Sequence, residues 1–285
     1  MTQDMPWAIA LVGGSAWLDA GPVHPCYSAP RRMERIAVTE HTRMTVADGV
    51  CTLAFTRPEK KNALTQAMYA GLAEAIERTE RDDAIGCLVI TGCEDVFCAG
   101  NDIADFRNRS ATGSERPSRR VYQGLARLDK PVIGAVQGLA IGIGFTMLLH
   151  ADLVLAAPEA RFRMPFVDLG VVPELGSSLL VPWVAGRHRA AELMLLGGFF
   201  DAAVAKEMGF VNRIVPREAL LDEAMALAKR LAAKPRESLR ATKRLLRPDQ
   251  DRLLARMEEE LAIFAERLAS PETQAIMATV LKPKS

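Results

Sequence analysis

"KPVIGAVQGLAIGIGFTMLLHADLVLA", residues 130–156, is the stretch that decides the fold class. PVIGAVQG, 131–138, is a short apolar run closed by glycine, as expected of a buried strand. DLVLAA, 152–157, is a second such run. Between them LAIGIGFTMLLH, 139–150, is long enough for a helix and reads as one. A strand, a helix and a strand in succession predict an α/β layer structure with parallel pairing. The apolar core of the helix, 139–149, falls short of the roughly 18 residues of a membrane span. Its glycines and threonine suit a buried helix instead.

The same alternation extends outward. IGCLVITG, 85–92, is another short buried strand. Before it, Leu64, Met68, Leu72 and Ile76 recur every four residues, which predicts an amphipathic helix with Thr65 as a candidate N-cap. In RMTVADGVCTLAFTRP, 43–58, apolar residues flank Asp48-Gly49, the turn signal of a β-hairpin. From Gly176 onward helices dominate, interrupted by a short strand in FVNRIVP. Leu254, Met257, Leu261, Phe264 and Leu268 make one apolar stripe. Ser270-Pro271-Glu272 reads as a further helix start. These patterns divide the chain into an extension over 1–35, a core over 36–228 and a helical region over 229–285. Met33 is a candidate alternative start within the extension.

The bulk numbers narrow the function. The chain has 285 residues, 49% hydrophobic and 25% charged, so it can bury a sizeable core. A net charge of +1 supplies no field to recruit nucleic acid or an anionic membrane, and neither is expected as a partner. The 5 cysteines include no C-x-x-C pair, and the 4 histidines are too dispersed for a zinc helix. No metal site and a reducing, cytoplasmic setting are expected. Asp4 stands where a signal peptide needs basic residues, and LKPKS is not a peroxisomal address.

Familiar nucleotide and hydrolase motifs fail. Gly142-x-Gly144 lacks a third glycine, Met147 standing in its place. No P-loop occurs, and Ser178 lacks the glycines of a nucleophile elbow. Two glycine-rich strand exits remain, FCAGNDIADF at 97–106 and QGLAIGIGF at 137–145. Glycine lets backbone N–H groups approach a ligand closely. Two such loops can aim two N–H groups at one oxygen, as an oxyanion hole requires. Either loop alone would more often be a tight turn.

With these loops in view, TRPEKKNAL, FCAGNDIADF, residues 130–156 and FRMPFVDLGVVPELGSS together resemble the enoyl-CoA hydratase/isomerase (crotonase) superfamily. The resemblance runs from about residue 43 to LASPETQAIM, and implies a ββα spiral core with a helical C-terminal region. It also implies a CoA thioester substrate with no separate cofactor, and a homotrimer or dimer of trimers. By position, the backbone N–H groups of Asn101 and Ile143 would hold the thioester oxygen. Ala99, Gly100, Asn101, Asp102 and Ile103 would line the CoA path, with Gly142 and Phe166 beside it. Arg57, Lys60 and Lys61, and in the tail Lys243 and Arg244, resemble cations near the CoA phosphates. Residues 229–247 hold 8 Lys/Arg against 1 Glu, which suits anionic phosphates.

Departures from the family pattern sharpen the expectation. Hydratases of this family use two glutamates, and at those positions this chain has Thr146 and Phe166. Neither can split and deliver water. The chain instead offers Glu174. PFVDLGVVPELGSS is similar to the pattern of peroxisomal-type Δ3,Δ2-enoyl-CoA isomerases, in which the glutamate after the second proline is the lone base. Leu175 departs from the glycine common there. Read in isolation, Glu174 would be a helix-start acid favoured by the dipole. Asp168 reads as a cap or pocket-edge acid, Glu159 and Asp152 as surface acids, and His150 as a satisfied helix-end residue. The resemblance implies an enoyl-CoA isomerase of fatty acid oxidation. A diverged hydratase or other crotonase activity, and a silent acyl-CoA binder, are the alternatives.

Overall fold

The structure is a computed structural model and describes residues 34–104, 116–247 and 249–280. The described residues all belong to one compact unit, Arg32–Ser285. Of the expected extension over 1–35, residues 1–33, with the alternative start at Met33, lie outside the described residues, while Glu34 and Arg35 open the first strand. LKPKS and the last two residues of FCAGNDIADF also lie outside the described residues.

The first sheet begins with β1 (Glu34–Thr39), β2 (Thr42–Ala47) and β3 (Val50–Phe55), joined as an antiparallel meander. The expected hairpin closes with Ala47 opposite Val50, and Asp48 and Gly49 both take positive φ, 51° and 75°. Two left-handed residues match the strand twist, which is why Asp-Gly serves there. Helix α1 (Gln66–Arg81) starts at Thr65, whose hydroxyl accepts the Met68 N–H at 3.2 Å.

A repeating unit follows. Strand β4 (Cys87–Thr91) lies in the first sheet and β5 (Val96–Cys98) in a second, before helix α2 (Pro117–Arg127). Strand β6 (Val132–Val136) returns to the first sheet and β7 (Leu139–Ile141) to the second, before the short helix α3 (Ile143–Thr146). Strand β8 (Leu153–Ala156) and β9 (Arg161–Arg163) repeat the step. Each turn of this ββα spiral adds one strand to each sheet. Crossing between sheets needs a sharp corner: a Cβ at Gly138 would sit 1.8 Å from the Asp95 carbonyl oxygen, so only glycine fits between β6 and β7.

Helices α4 (Ser177–Ala185) and α5 (Arg187–Leu196) come next. Strand β10 (Phe200–Asp201), helix α6 (Ala202–Glu207) and strand β11 (Arg213–Ile214) complete the sheets. Their orders are β1-β2-β3-β4-β6-β8-β11 and β10-β9-β7-β5. Pairing from β3 through β11 in the first sheet is parallel, as is β5-β7-β9 in the second. Four further helices follow, α7 (Arg217–Ala232), α8 (Arg236–Leu246), α9 (Gln250–Ala269) and α10 (Pro271–Val280). Ser270 caps α10 through the Thr273 N–H at 3.3 Å.

Both faces of the first sheet are covered, so its parallel strands read as unbroken apolar runs. Leu88 and Ile90 of β4 face the main core, while Cys87 and Val89 face a second cluster under Leu220, Ala224 and Ala228 of α7. The expected helix over 139–150 needs correction. Residues 139–141 are a strand held between β5 and β9, and Gly142, at φ 55°, breaks the chain before α3. A 3-10 turn at Met147–His150 finishes the segment. Among the described residues, no helix is long and apolar enough to cross a membrane.

Candidate active site

Strands β5, β7 and β9 lie side by side and parallel, so their carboxyl ends deliver three loops to one place. These are Ala99–Ile103, Gly142–Ile143 and the turn running from Met164 to Gly176. Together they line a cavity of about 170 Å³. Ala99, Gly100, Asn101, Ile103, Gly142, Ile143, Phe166 and Glu174 all border it. Of the residues read from the sequence as substrate-binding, Asp102 and Lys60 do not.

The first loop is held by backbone bonds to the 57–64 segment. Leu64 donates its N–H to the Gly100 carbonyl at 2.8 Å and accepts from the Asp102 N–H at 3.0 Å. In this parallel bridge Leu64 uses both groups, which turns the Asn101 N–H to the opposite side. The Asn101 side chain is fixed separately, its Oδ1 accepting from the Tyr69 hydroxyl at 2.7 Å. The second loop approaches the first closely. A Cβ on Gly144 would stand 2.3 Å from the Cys98 carbonyl oxygen, so glycine is required there. Ile143 is the first residue of α3, where an N–H has no partner within its own helix.

Glu174 is only 3% exposed. Its Oε2 accepts a hydrogen bond from the hydroxyl of Tyr122 on α2, itself buried. Its carbonyl accepts from the Ser177 hydroxyl at 2.6 Å and the Ser177 N–H at 3.1 Å. The role of helix-start acid belongs to another residue. Helix α4 begins after Gly176, and Glu260 of α9 accepts from the Gly176 N–H at 2.6 Å and the Ser178 N–H at 2.9 Å. Glu174 is thus left to face the cavity, and it is the one carboxylate lining it among the described residues.

Two titratable groups near Glu174 among the described residues, Cys98 and His150, are held neutral. Burial pushes the Cys98 thiol up to about 12, with the Glu174 charge adding to the effect. Burial pushes His150 down to about 4. The neutral ring meets the Leu175 carbonyl at 2.9 Å through Nε2, so that nitrogen carries the proton. His150 is therefore a satisfied structural residue, as its sequence position suggested. Thr146 is fully buried, and among the described residues its hydroxyl has no hydrogen-bond partner. Phe166 is buried and walls the cavity.

Several cations and acids have structural duties. Arg57 donates to Asp102 Oδ2 at 2.7 Å, so this pair pins the first loop. Lys243 is buried, 2.6 Å from both Asp152 Oδ2 and the Lys130 carbonyl, so it is not available to phosphates. Asp152 also accepts the Val132 N–H at 2.7 Å, so this exposed acid ties the start of β6 to Lys243. Arg244 is exposed and pairs with Asp129 at 3.2 Å. Lys60 and Lys61 are exposed. Asp168 pairs with Arg163 at 2.8 Å, and Glu159 is an exposed acid 4.0 Å from Arg217.

Residues 45–280 match the model of the family described as enoyl-CoA hydratase/isomerase. The chain belongs to that family. It is 44% identical over 198 residues to 1,2-epoxyphenylacetyl-CoA isomerase of Escherichia coli (strain K12), covering 67% of this chain and 75% of that one. It is 34% identical over 250 residues to enoyl-CoA delta isomerase 2 of Rattus norvegicus, covering 85% of this chain and 64% of the rat protein. The crystal structure of an enoyl-CoA hydratase/isomerase from Pseudoalteromonas atlantica T6c superposes with a TM-score of 0.82 at 38% identity. That match covers 86% of this chain and 100% of the other. The protein is an acyl-CoA-processing enzyme of the crotonase fold.

Sequence reasoning missed three polar residues that hold the site, Tyr69, Tyr122 and Glu260. Tyr69 and Tyr122 lie on apolar helix faces, where an aromatic residue is ordinary core. Glu260 left a usable trace: it falls three residues after Met257 and four before Phe264, inside the apolar stripe of α9. An acid on a buried face needs partners, and here they are the N–H groups that open α4.

Proposed function

We propose that this enzyme moves the C3–C4 double bond of a 3-enoyl-CoA to C2–C3. The carrying observation is that Glu174 is the one carboxylate lining the cavity among the described residues. Phe166 and Thr146 occupy the positions at which the family's hydratases carry acids. In this reading Glu174 removes a C2 proton, and the electron pair delocalises onto the thioester oxygen. The Asn101 and Ile143 N–H groups stabilise that dienolate, each such donor being worth about 3 kcal/mol by analogy with acyl-transfer sites. Glu174 then returns the proton at C4. Phe166, Val171 and Leu169 line the same cavity and keep water from the dienolate, which favours isomerisation over hydration.

No cofactor beyond the CoA of the substrate takes part in this scheme. Ala99 to Ile103 would carry the pantetheine, with Asp102 acting through its tie to Arg57, and Lys60 would reach the phosphates. The proposed setting is fatty acid oxidation, in a homotrimer or dimer of trimers.

A coupled assay with 3-hexenoyl-CoA and 2-hexenoyl-CoA tests the reading. Isomerase consumes the first, hydratase consumes the second, and a binder consumes neither while gaining thermal stability from CoA esters. Glu174→Gln should abolish conversion of 3-hexenoyl-CoA, by at least about a thousandfold, while the thermal shift with CoA esters persists. Turnover surviving in that variant would remove Glu174 from the mechanism.

A further inference from the structure

The proposed isomerisation makes an unusual demand on its base. The same carboxylate must meet two carbons in turn and keep its orientation between them. A glutamate side chain has three rotatable bonds, and its backbone turn does not restrain its outer end. A restraint on it comes from α2. The Tyr122 ring is 4% exposed, packed in the main core with Val121 and Leu125, and its hydroxyl donates to Glu174 Oε2. An aromatic ring on a helix has only two torsions, so a buried one aims its hydroxyl reproducibly.

Resting on the reading of Glu174 as the base, we infer that Tyr122 is a positioning residue that orients this carboxylate and sets the pH at which it becomes competent. The phenol bond is charge-assisted while Glu174 is ionised and weaker once Glu174 is protonated. It therefore favours the anion, which a buried site otherwise penalises. During turnover the C2–H bond breaks and its proton goes to Glu174. The electron pair moves toward the thioester oxygen, and the Tyr122 proton stays on its own oxygen. Among the described residues, the other titratable groups near Glu174 have different duties. Cys98 on β5 is a buried neutral thiol, and His150 serves the Leu175 carbonyl. Glu260 on α9 serves the Gly176 and Ser178 N–H groups, with Arg256 directed to the Ser178 hydroxyl at 3.3 Å.

Tyr69 supplies an internal control. It makes a matching contact on the first loop, but to the Asn101 amide, which does not titrate. Both tyrosines hold site residues, so loss of either should slow turnover, yet only Tyr122 should move the pH profile.

The experiment measures kcat and KM for 3-hexenoyl-CoA from pH 4.5 to 8.5 in the full-length enzyme. Tyr122→Phe should lower kcat about tenfold or more, leave KM within about threefold, and raise the acidic limb by about one pH unit. Tyr69→Phe should lower kcat with that limb in place. Difluorotyrosine at position 122 keeps the shape and is a stronger donor, so it should move the limb the opposite way. This variant decides the matter if Tyr122→Phe does not fold. An acidic limb that stays put in the difluorotyrosine enzyme, or wild-type kcat in a folded Tyr122→Phe, would overturn the inference. Glu174→Gln separates the two levels: turnover in that variant defeats the base assignment itself, whereas its loss beside a normal Tyr122→Phe defeats only the role of Tyr122.

Discussion

Leu175 carries a backbone conformation that its side chain resists. Its φ is 59°, in the left-handed region, and Gly176 follows at 71°. Two consecutive left-handed residues make the turn that separates Glu174 from the first turn of α4. This accounts for the glycine that related isomerase sequences favour at the Leu175 position. A leucine there costs roughly 1–2 kcal/mol of backbone strain, offset by complete burial of its side chain in the main core. Replacing it separates the two effects. Leu175→Ala should destabilise by about 2–5 kcal/mol through the lost packing. Leu175→Gly should be the more stable of the two, by about 1 kcal/mol, reversing the usual order of glycine and alanine. Urea unfolding of both variants measures the difference, and an alanine variant at least as stable as the glycine one would count against strain at this residue.

At the scale of elements, legibility depended on how local the cause was. The hairpin at Asp48-Gly49 and the Thr65 cap rest on neighbours within a few residues, and β4, β6 and β8 show as continuous apolar runs. The three-residue strands β5, β7 and β9 were not separable from their surroundings, because so short a run shows no period. Yet these strands build the site. The motif singled out Glu174, which borders the cavity, but its bond to Tyr122 spans 52 residues and has no sequence trace. The same holds for His150, which closes the Met147–His150 turn onto Leu175, 25 residues away. Burial lowers this histidine from 6.5 to about 4. Unfolding restores the ordinary value, so between these pH values the unfolded chain binds more protons. The stability is present above about pH 6.5 and is lost as pH falls toward 4, amounting to about 2 kcal/mol by pH 5. His150→Gln keeps an N–H donor for the Leu175 carbonyl without titrating. Its loss of stability between pH 7 and 5, followed by denaturant midpoints, should be about 2 kcal/mol smaller than that of the wild type. Parallel curves would show that His150 does not set the acid sensitivity.

For the whole molecule, the two sheets and the helical tail divide the work. The spiral brings β5, β7 and β9 together and so fixes the three loops that line the cavity. The tail closes the other side. Glu260 anchors α9 to the opening of α4, and the Thr273 hydroxyl anchors α10 to the Gly170 carbonyl at 2.7 Å. From these two helices Phe264 and Met277 contribute to the cavity wall. An apolar stripe reads as core packing from sequence alone, and part of it does pack, but Phe264 also borders the cavity. A cavity near 170 Å³ is of the order of one that takes a benzene ring. The tail would then cap the acyl group and limit its length. Met277→Ala removes a flexible buried wall residue without touching either loop. It should raise kcat/KM for 3-decenoyl-CoA relative to 3-hexenoyl-CoA by about tenfold or more, since one methylene accommodated in an apolar pocket is worth about 1–3 kcal/mol. A ratio equal to that of the wild type would mean that the acyl chain leaves the cavity by another route and that α10 has only a packing role.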